Sequence, residues 1–280
     1  MKTKSSGVML RLAACVVVAI SAVGIAACGS SGQALTFERT TEGRESVFSV
    51  PDSAEAGEAE VTLVNNGADP VDLQLFRAEG DHTAEEVVEG FNATQNGGPF
   101  PDWFHAAGGV GAVPVGKEVT VTQILEPGIY YAFDTEGFDT PPDPETITGV
   151  EVTGDASDDS LEADARVSAS EYGFESEGLV AGSNELLFEN EGVQPHHLIA
   201  LKMIGDSTLA DIDRFFTAFE GKSPVEAGPS TRTAVLEGGE SQVVDFELEP
   251  GRYALVCFTT DRQGGIAHTT KGMFAELEVE

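Results

Sequence analysis

Beyond an apolar N-terminal run, the chain is written in short alternations. Val61 and Leu63 place an apolar side chain on every other position, as do Leu186 and Phe188. Val244, Phe246 and Leu248 repeat the pattern before a Pro-Gly turn, and Ala275, Leu277 and Val279 repeat it at the C-terminus. A period of two with one inward face predicts strands that pack as sandwiches. Two segments switch to a helical period. Thr83, with Glu86 three residues on, predicts a capped helix ahead of Val87, Val88 and Phe91. Thr208 precedes Leu209, Ile212, Phe215, Phe216 and Phe219, one stripe of an amphipathic helix whose aromatics are expected in the core.

The alternation occurs twice over. Leu63-Val64-Asn65-Asn66-Gly67-Ala68-Asp69-Pro70 lies in ungapped register with Phe188-Glu189-Asn190-Glu191-Gly192-Val193-Gln194-Pro195, and Leu125-Glu126-Pro127-Gly128 with Tyr130 recurs as Leu248-Glu249-Pro250-Gly251 with Tyr253. An internal repeat of this kind predicts two copies of one fold. The fold class expected is all-β: two tandem Greek-key β-sandwiches, each interrupted by one short helix. The expected copies are residues 34–153 and 165–280, joined by an acidic linker over 154–164 that holds Asp155, Asp158, Asp159 and Glu162.

Residues 1–27 read as a lipoprotein signal peptide. Lys2, Lys4 and Arg11 form a basic start, and the apolar run that follows is too short to span a bilayer comfortably. It ends in Ile25-Ala26-Ala27-Cys28, which resembles a lipobox, and Gly29-Ser30-Ser31-Gly32 follows. That resemblance implies cleavage before Cys28, diacylation of its thiol, a tether over 28–33 and residence on the outer face of a bacterial cell membrane. It removes Cys15 and consumes Cys28, so Cys257 is left without an intramolecular disulfide partner.

Charge narrows the partners. With 48 acidic against 15 basic residues the formal net charge is −33. Nucleic acid is excluded as a natural partner. Such a surface is soluble, and it would steer a cationic redox protein.

The candidate chemistry lies in the second copy. Pro195-His196-His197 is expected to open a strand through Leu201, Cys257 to end a strand begun at Arg252, His268 to lie in the following connection, and Met273 to begin the last strand. Met273 shares parity with Leu277 and Val279, and Cys257 with Tyr253 and Leu255, so both face inward at one end of the sandwich. A thiolate and two imidazoles make a trigonal set suited to both Cu(I) and Cu(II), with a thioether as weak axial donor. Strand parity leaves His196 and His197 open as alternatives, because both faces that follow are apolar.

Asn190, Pro195-His196, Cys257, His268 and Gly272-Met273 together resemble the cupredoxins, the plastocyanin and azurin type of blue copper protein. The resemblance spans the second copy and, through the repeat, the first. It implies a cupredoxin-like sandwich holding one type 1-like copper on His196, Cys257, His268 and Met273, with His197 and Asn190 as supporting residues around the ligands. It implies electron transfer, with no enzymatic turnover. Copper delivery and a metal-free interaction module are the alternative functions. The segment Phe258 to Ala267 is longer than the compact loop of that family, and Gly264-Gly265 supplies a turn to bring His268 back. At the positions of His196, His197 and Cys257 the first copy has Val71, Asp72 and Asp134, so no copper is expected there. His82 and His105 are expected to be loop or surface histidines, and Trp103 to pack over the sandwich end.

Overall fold

The computed structural model describes residues 32–42, 45–135, 142–228 and 230–280. The expected signal peptide, Cys28 and most of the expected tether lie outside the described residues. Among those that are described, no helix is long and apolar enough to cross a membrane.

The first copy comprises β1 (Gln33–Glu42), β2 (Glu45–Ser49), β3 (Ser53–Glu55), β4 (Gly57–Asn65), β5 (Val71–Ala78), α1 (Ala84–Gln95), β6 (Phe104–Val113), β7 (Glu118–Leu125), β8 (Gly128–Phe133) and β9 (Gly149–Thr153). The second comprises β10 (Ala165–Ser170), β11 (Gly173–Glu177), β12 (Gly182–Asn190), β13 (Ile199–Lys202), α2 (Leu209–Ala218), β14 (Thr231–Arg232), β15 (Ser241–Leu248), β16 (Gly251–Val256) and β17 (Phe274–Val279). Residues 154–164 carry no strand or helix and are exposed for the most part, with Leu161 turned into the core.

Each copy is a sandwich built by the same rule. β1 runs parallel to β4 and antiparallel to β2, and β10 runs parallel to β12 and antiparallel to β11. The facing sheets are β3-β9-β8-β5-β6 and β14-β13-β16-β17. Burial alternates strictly along β4 and closely along β15, which is the physical cause of the sequence pattern. Tyrosines pin equivalent corners. Tyr130 Oη donates to the Glu126 carbonyl at 3.0 Å and accepts from the Glu126 N–H at 2.9 Å, and Tyr253 does the same with Glu249, both at 3.0 Å.

The copies are not separate beads. β7 and β15, the edge strands of their own four-stranded sheets, pair antiparallel, so one eight-stranded sheet runs through both in the order β11-β10-β12-β15-β7-β4-β1-β2. Val121 stands opposite Val244. These residues occupy the same place in the Leu-Glu-Pro-Gly repeat, so a local twofold axis passes between them. Edge strands with unpaired backbone are a liability, and this pairing removes two of them.

Further contacts lock the halves. Gln74, buried on β5, donates through Nε2 to the carbonyls of Leu75 (2.9 Å), Gly108 (3.1 Å) and Val235 (3.0 Å), and accepts the Val235 N–H at 2.8 Å. A Cβ at Gly111 of β6 would stand 2.1 Å from the Arg232 carbonyl, so glycine there is what lets the two backbones meet. Arg232 reaches back to Asp72, Nη2 to Oδ1, at 2.8 Å.

Both helices carry the expected caps, with Thr83 and Glu86 forming one capping box and Thr208 and Asp211 the other. α1 buries Val87 and Phe91 against Phe76, Phe104 and Phe133. In α2 only Ile212 is fully buried, and Phe216 packs beside it. The expectation that Phe219 is core is corrected. α2 ends at Ala218, and Phe219 takes a left-handed backbone (φ 55°) that leaves it 88% exposed. Trp103 packs against the α1 core and stacks on His82 at 3.7 Å, while His105 lies within β6 near Glu237 rather than in a loop.

Gln74→Ala removes four hydrogen bonds, of which the two to Val235 cross the seam, and leaves buried backbone groups without that partner, which costs about 2–4 kcal/mol. Denaturant unfolding of the variant is expected to show that loss; a change under about 0.5 kcal/mol would mean the seam contributes little.

Candidate metal centre

Three segments deliver the donors. The residues before β13 are fixed because His196 forms an isolated bridge with Leu236, its N–H donating at 3.0 Å and its carbonyl accepting at 2.8 Å. Cys257 is the residue immediately after β16. The connection that follows folds back through two backbone bonds, His268 N–H to the Thr259 carbonyl (2.8 Å) and Thr269 N–H to the Cys257 carbonyl (3.0 Å), which place His268 at the start of a 3-10 turn, His268–Lys271. The ten residues between Cys257 and His268 therefore fold as a hairpin-like return, with Gly264 (φ 75°) and Gly265 (φ 118°) at its tip.

The result is a tight cluster. Cys257 Sγ lies 3.5 Å from His268 Nδ1 and 3.8 Å from His196 Nδ1, and the two Nδ1 atoms are 3.1 Å apart. All three residues are fully buried, and among the described residues they form the metal-capable group of His, Cys and carboxylate donors. The structure thus brings His196 to the sulfur. His197 turns elsewhere, its Nε2 accepting the Phe258 N–H at 2.8 Å, so it supports the backbone beside Cys257.

Met273 is fully buried in the same core cluster as Cys257, and its N–H donates to the His268 carbonyl at 3.0 Å. Asn190 touches neither imidazole. Its Nδ2 donates to the carbonyls of Gln194 (2.7 Å) and Leu236 (3.0 Å), and its Oδ1 accepts the Gly192 N–H (3.0 Å). Asn65 makes the same three bonds in the first copy, to Asp69, Val113 and Gly67. The clamp therefore belongs to the fold, and in the second copy it happens to hold the bridge that carries His196.

A second ring of residues carried no local sequence signal. Asp261 Oδ1 accepts from His268 Nε2 at 3.0 Å and from the Tyr172 hydroxyl at 3.1 Å, and Lys271 Nζ pairs with its Oδ2. Lys271 also donates to Tyr172 Oη at 2.9 Å, and the Tyr172 ring meets His268 edge-on at 5.1 Å. The proton of His268 is thereby held on Nε2, leaving Nδ1 bare toward the sulfur. Tyr172 lies far from Asp261 in sequence, so no short motif could reveal the pair.

Electrostatics agree with a donor site. Burial, and then the charge of His268, pull the His196 pKa down to about 4; burial also lowers His268, partly opposed by Asp261. Both rings are neutral near pH 7. Burial pushes the Cys257 thiol up to about 12, although the backbone N–H groups of His197 and Thr259 favour its thiolate. With His196 Nε2 lacking a protein partner among the described residues, the neutral His196 ring donates from Nδ1 to the bare Nδ1 of His268 at 3.1 Å; a buried thiol beside two neutral imidazoles is the donor set of a soft or borderline cation.

No family model matches the chain, and no curated protein matches it. Solved structures similar to it include a dithionite-reduced auracyanin of the photosynthetic bacterium Roseiflexus castenholzii, at 19% identity over 41% of this chain and 94% of that one, TM-score 0.28. Auracyanin B is 22% identical over 41% and 86%, TM-score 0.26. A multicopper oxidase is 12% identical over 88% of each chain, TM-score 0.24. Likeness at this level assigns no function; the cupredoxin-like reading of this chain rests on its strand order and on the two-imidazole, one-thiol cluster.

Two outcomes follow. Near neutral pH, binding of a divalent ion must expel the Cys257 proton while both imidazoles are already neutral. One proton per ion should be released in a weakly buffered titration, and affinity should rise about tenfold per pH unit; release of none, or of two, contradicts this assignment. Asp261→Ala frees the His268 ring and is expected to weaken metal binding about 10–100-fold in a chelator competition. Unchanged affinity would show that Asp261 does not orient His268.

Proposed function

We propose that this chain is a copper protein of the cell surface, anchored through a lipid on Cys28, whose C-terminal copy holds one type 1-like copper and passes single electrons. The observation that carries the reading is the buried convergence of Cys257 Sγ with His196 Nδ1 and His268 Nδ1. Copper bound there would supply a one-electron Cu(II)/Cu(I) couple. The chain's part is to hold nearly one geometry in both states. His196 is fixed by its bridge to Leu236, His268 by Asp261, and Cys257 by strand β16 and the return loop. Met273 is the proposed axial thioether.

Two features favour electron transfer over the other readings. The donors are fully buried, whereas a catalytic metal keeps a position open to substrate. Burial also slows release of the ion, which a delivery protein requires. The net charge of −33 favours a cationic protein as redox partner, through electrostatic steering. The anchor draws its support from the lipobox-like Ile25-Ala26-Ala27-Cys28, and mass spectrometry of the N-terminal peptide tests it.

Cu(II) added to the full chain is expected to bind one to one at high affinity and to produce an intense visible band that Cys257→Ala abolishes. Met273→Leu should keep the band and raise the reduction potential, because loss of the axial donor leaves a three-donor set that Cu(I) accepts more readily than Cu(II). A colourless complex, or a band that survives in Cys257→Ala, would contradict the site.

A further inference from the structure

The seam between the copies encloses a half-open cavity of about 360 Å³. It straddles the local twofold relation. Asp72 stands in the repeat where the second copy has His197, Thr135 stands where it has Phe258, and all four line the cavity. By comparison, about 150 Å³ of dry apolar space is enough to bind benzene. Cavities of a few hundred Å³ at the junction of two folded units, with apolar walls and a few polar groups, are where small ligands bind.

The walls specify the ligand. Phe76, Phe100, Ile199 and Phe258 supply apolar and aromatic surface. The charges present are spent on one another. Asp72 Oδ1 accepts from Arg232 Nη2 at 2.8 Å and its Oδ2 from the Thr135 hydroxyl at 3.4 Å. His197 differs. Its Nε2 is occupied by the Phe258 N–H at 2.8 Å, so the neutral ring carries its proton on Nδ1, and no acceptor for that proton is found among the described residues. The cavity is thus lined by one imidazole N–H donor among aromatic walls that carry no net charge. An anion would meet Asp72 and a strongly negative protein.

We propose that this cavity binds a small neutral aromatic molecule bearing a hydroxyl or carbonyl oxygen, of the phenol or quinone class, which accepts the His197 Nδ1 proton and packs against the phenyl walls. The occupant touches the ring that holds the amide of Phe258, the residue after Cys257. Occupancy is therefore sensed one residue from the thiol. The proposal does not depend on copper, and its test uses the metal-free chain, so it stands or falls separately from the proposed electron transfer.

The probe is 4-methoxyphenol, neutral at pH 7, titrated into the metal-free full chain while amide NMR follows Phe258. A saturable shift at Phe258 is expected. Affinity should fall at least about tenfold in His197→Ala. Gln95→Trp, an exposed position at the cavity rim, should block binding without disturbing the core. The charged analogue 4-hydroxybenzoate should bind at least about tenfold more weakly. No saturable shift up to the probe's solubility, a shift unchanged in both variants, or equally tight binding of the benzoate would overturn the proposal.

Discussion

A short set of backbone hydrogen bonds decides the chemistry of the C-terminal copy. Thr269 N–H to the Cys257 carbonyl, His268 N–H to the Thr259 carbonyl and Met273 N–H to the His268 carbonyl fold the segment after β16 onto itself. They fix where the sulfur, the second imidazole and the thioether-bearing residue stand before any side chain makes a choice. The first imidazole comes from the opposite direction, through the His196–Leu236 bridge. Backbone placement of this kind makes a site rigid, because moving one donor requires breaking sheet-like bonds rather than turning a rotamer.

The first copy shows that scaffold and chemistry are separable. Asn65 and Asn190 make the same clamp, and Tyr130 and Tyr253 the same corner, so the sandwich is built alike in both. The donors differ. Asp134 stands where the second copy has Cys257, and its carboxylate lies 3.8 Å from the buried guanidinium of Arg39. A fixed cation from the chain itself compensates that position in the first copy, whereas three neutral donors gather in the second. Neutral donors buried together cost less than buried charges, which lets the second site persist as a buried cluster.

Much of this was legible in the sequence because it is local. The alternation of β4 and β15, the caps at Thr83 and Thr208, the Asn and Pro-Gly repeat, and the order of Cys257, His268 and Met273 each lie within a few residues. What was not legible depends on distance or on a conformational end-point. β7 and β15 alternate in the same way whether their edges are free or paired, so the continuous sheet left no mark. His196 and His197 could not be separated by parity, since both faces of the following strand are apolar, and the bridge to Leu236 decides between them. Tyr172 and Asp261 meet only because β10 turns into β11 over the return loop. Phe219 continues the helical stripe on paper, but the helix stops one residue earlier and turns it to solvent.

The account turns on a metal held by one sulfur and two ring nitrogens in the C-terminal copy. X-ray absorption at the copper edge, on the full chain loaded with one equivalent, tests it most directly. The expected first shell is one sulfur with two imidazole nitrogens at roughly 2.0–2.3 Å. A shell of oxygen and nitrogen alone would place the ion on the acidic surface and contradict the account.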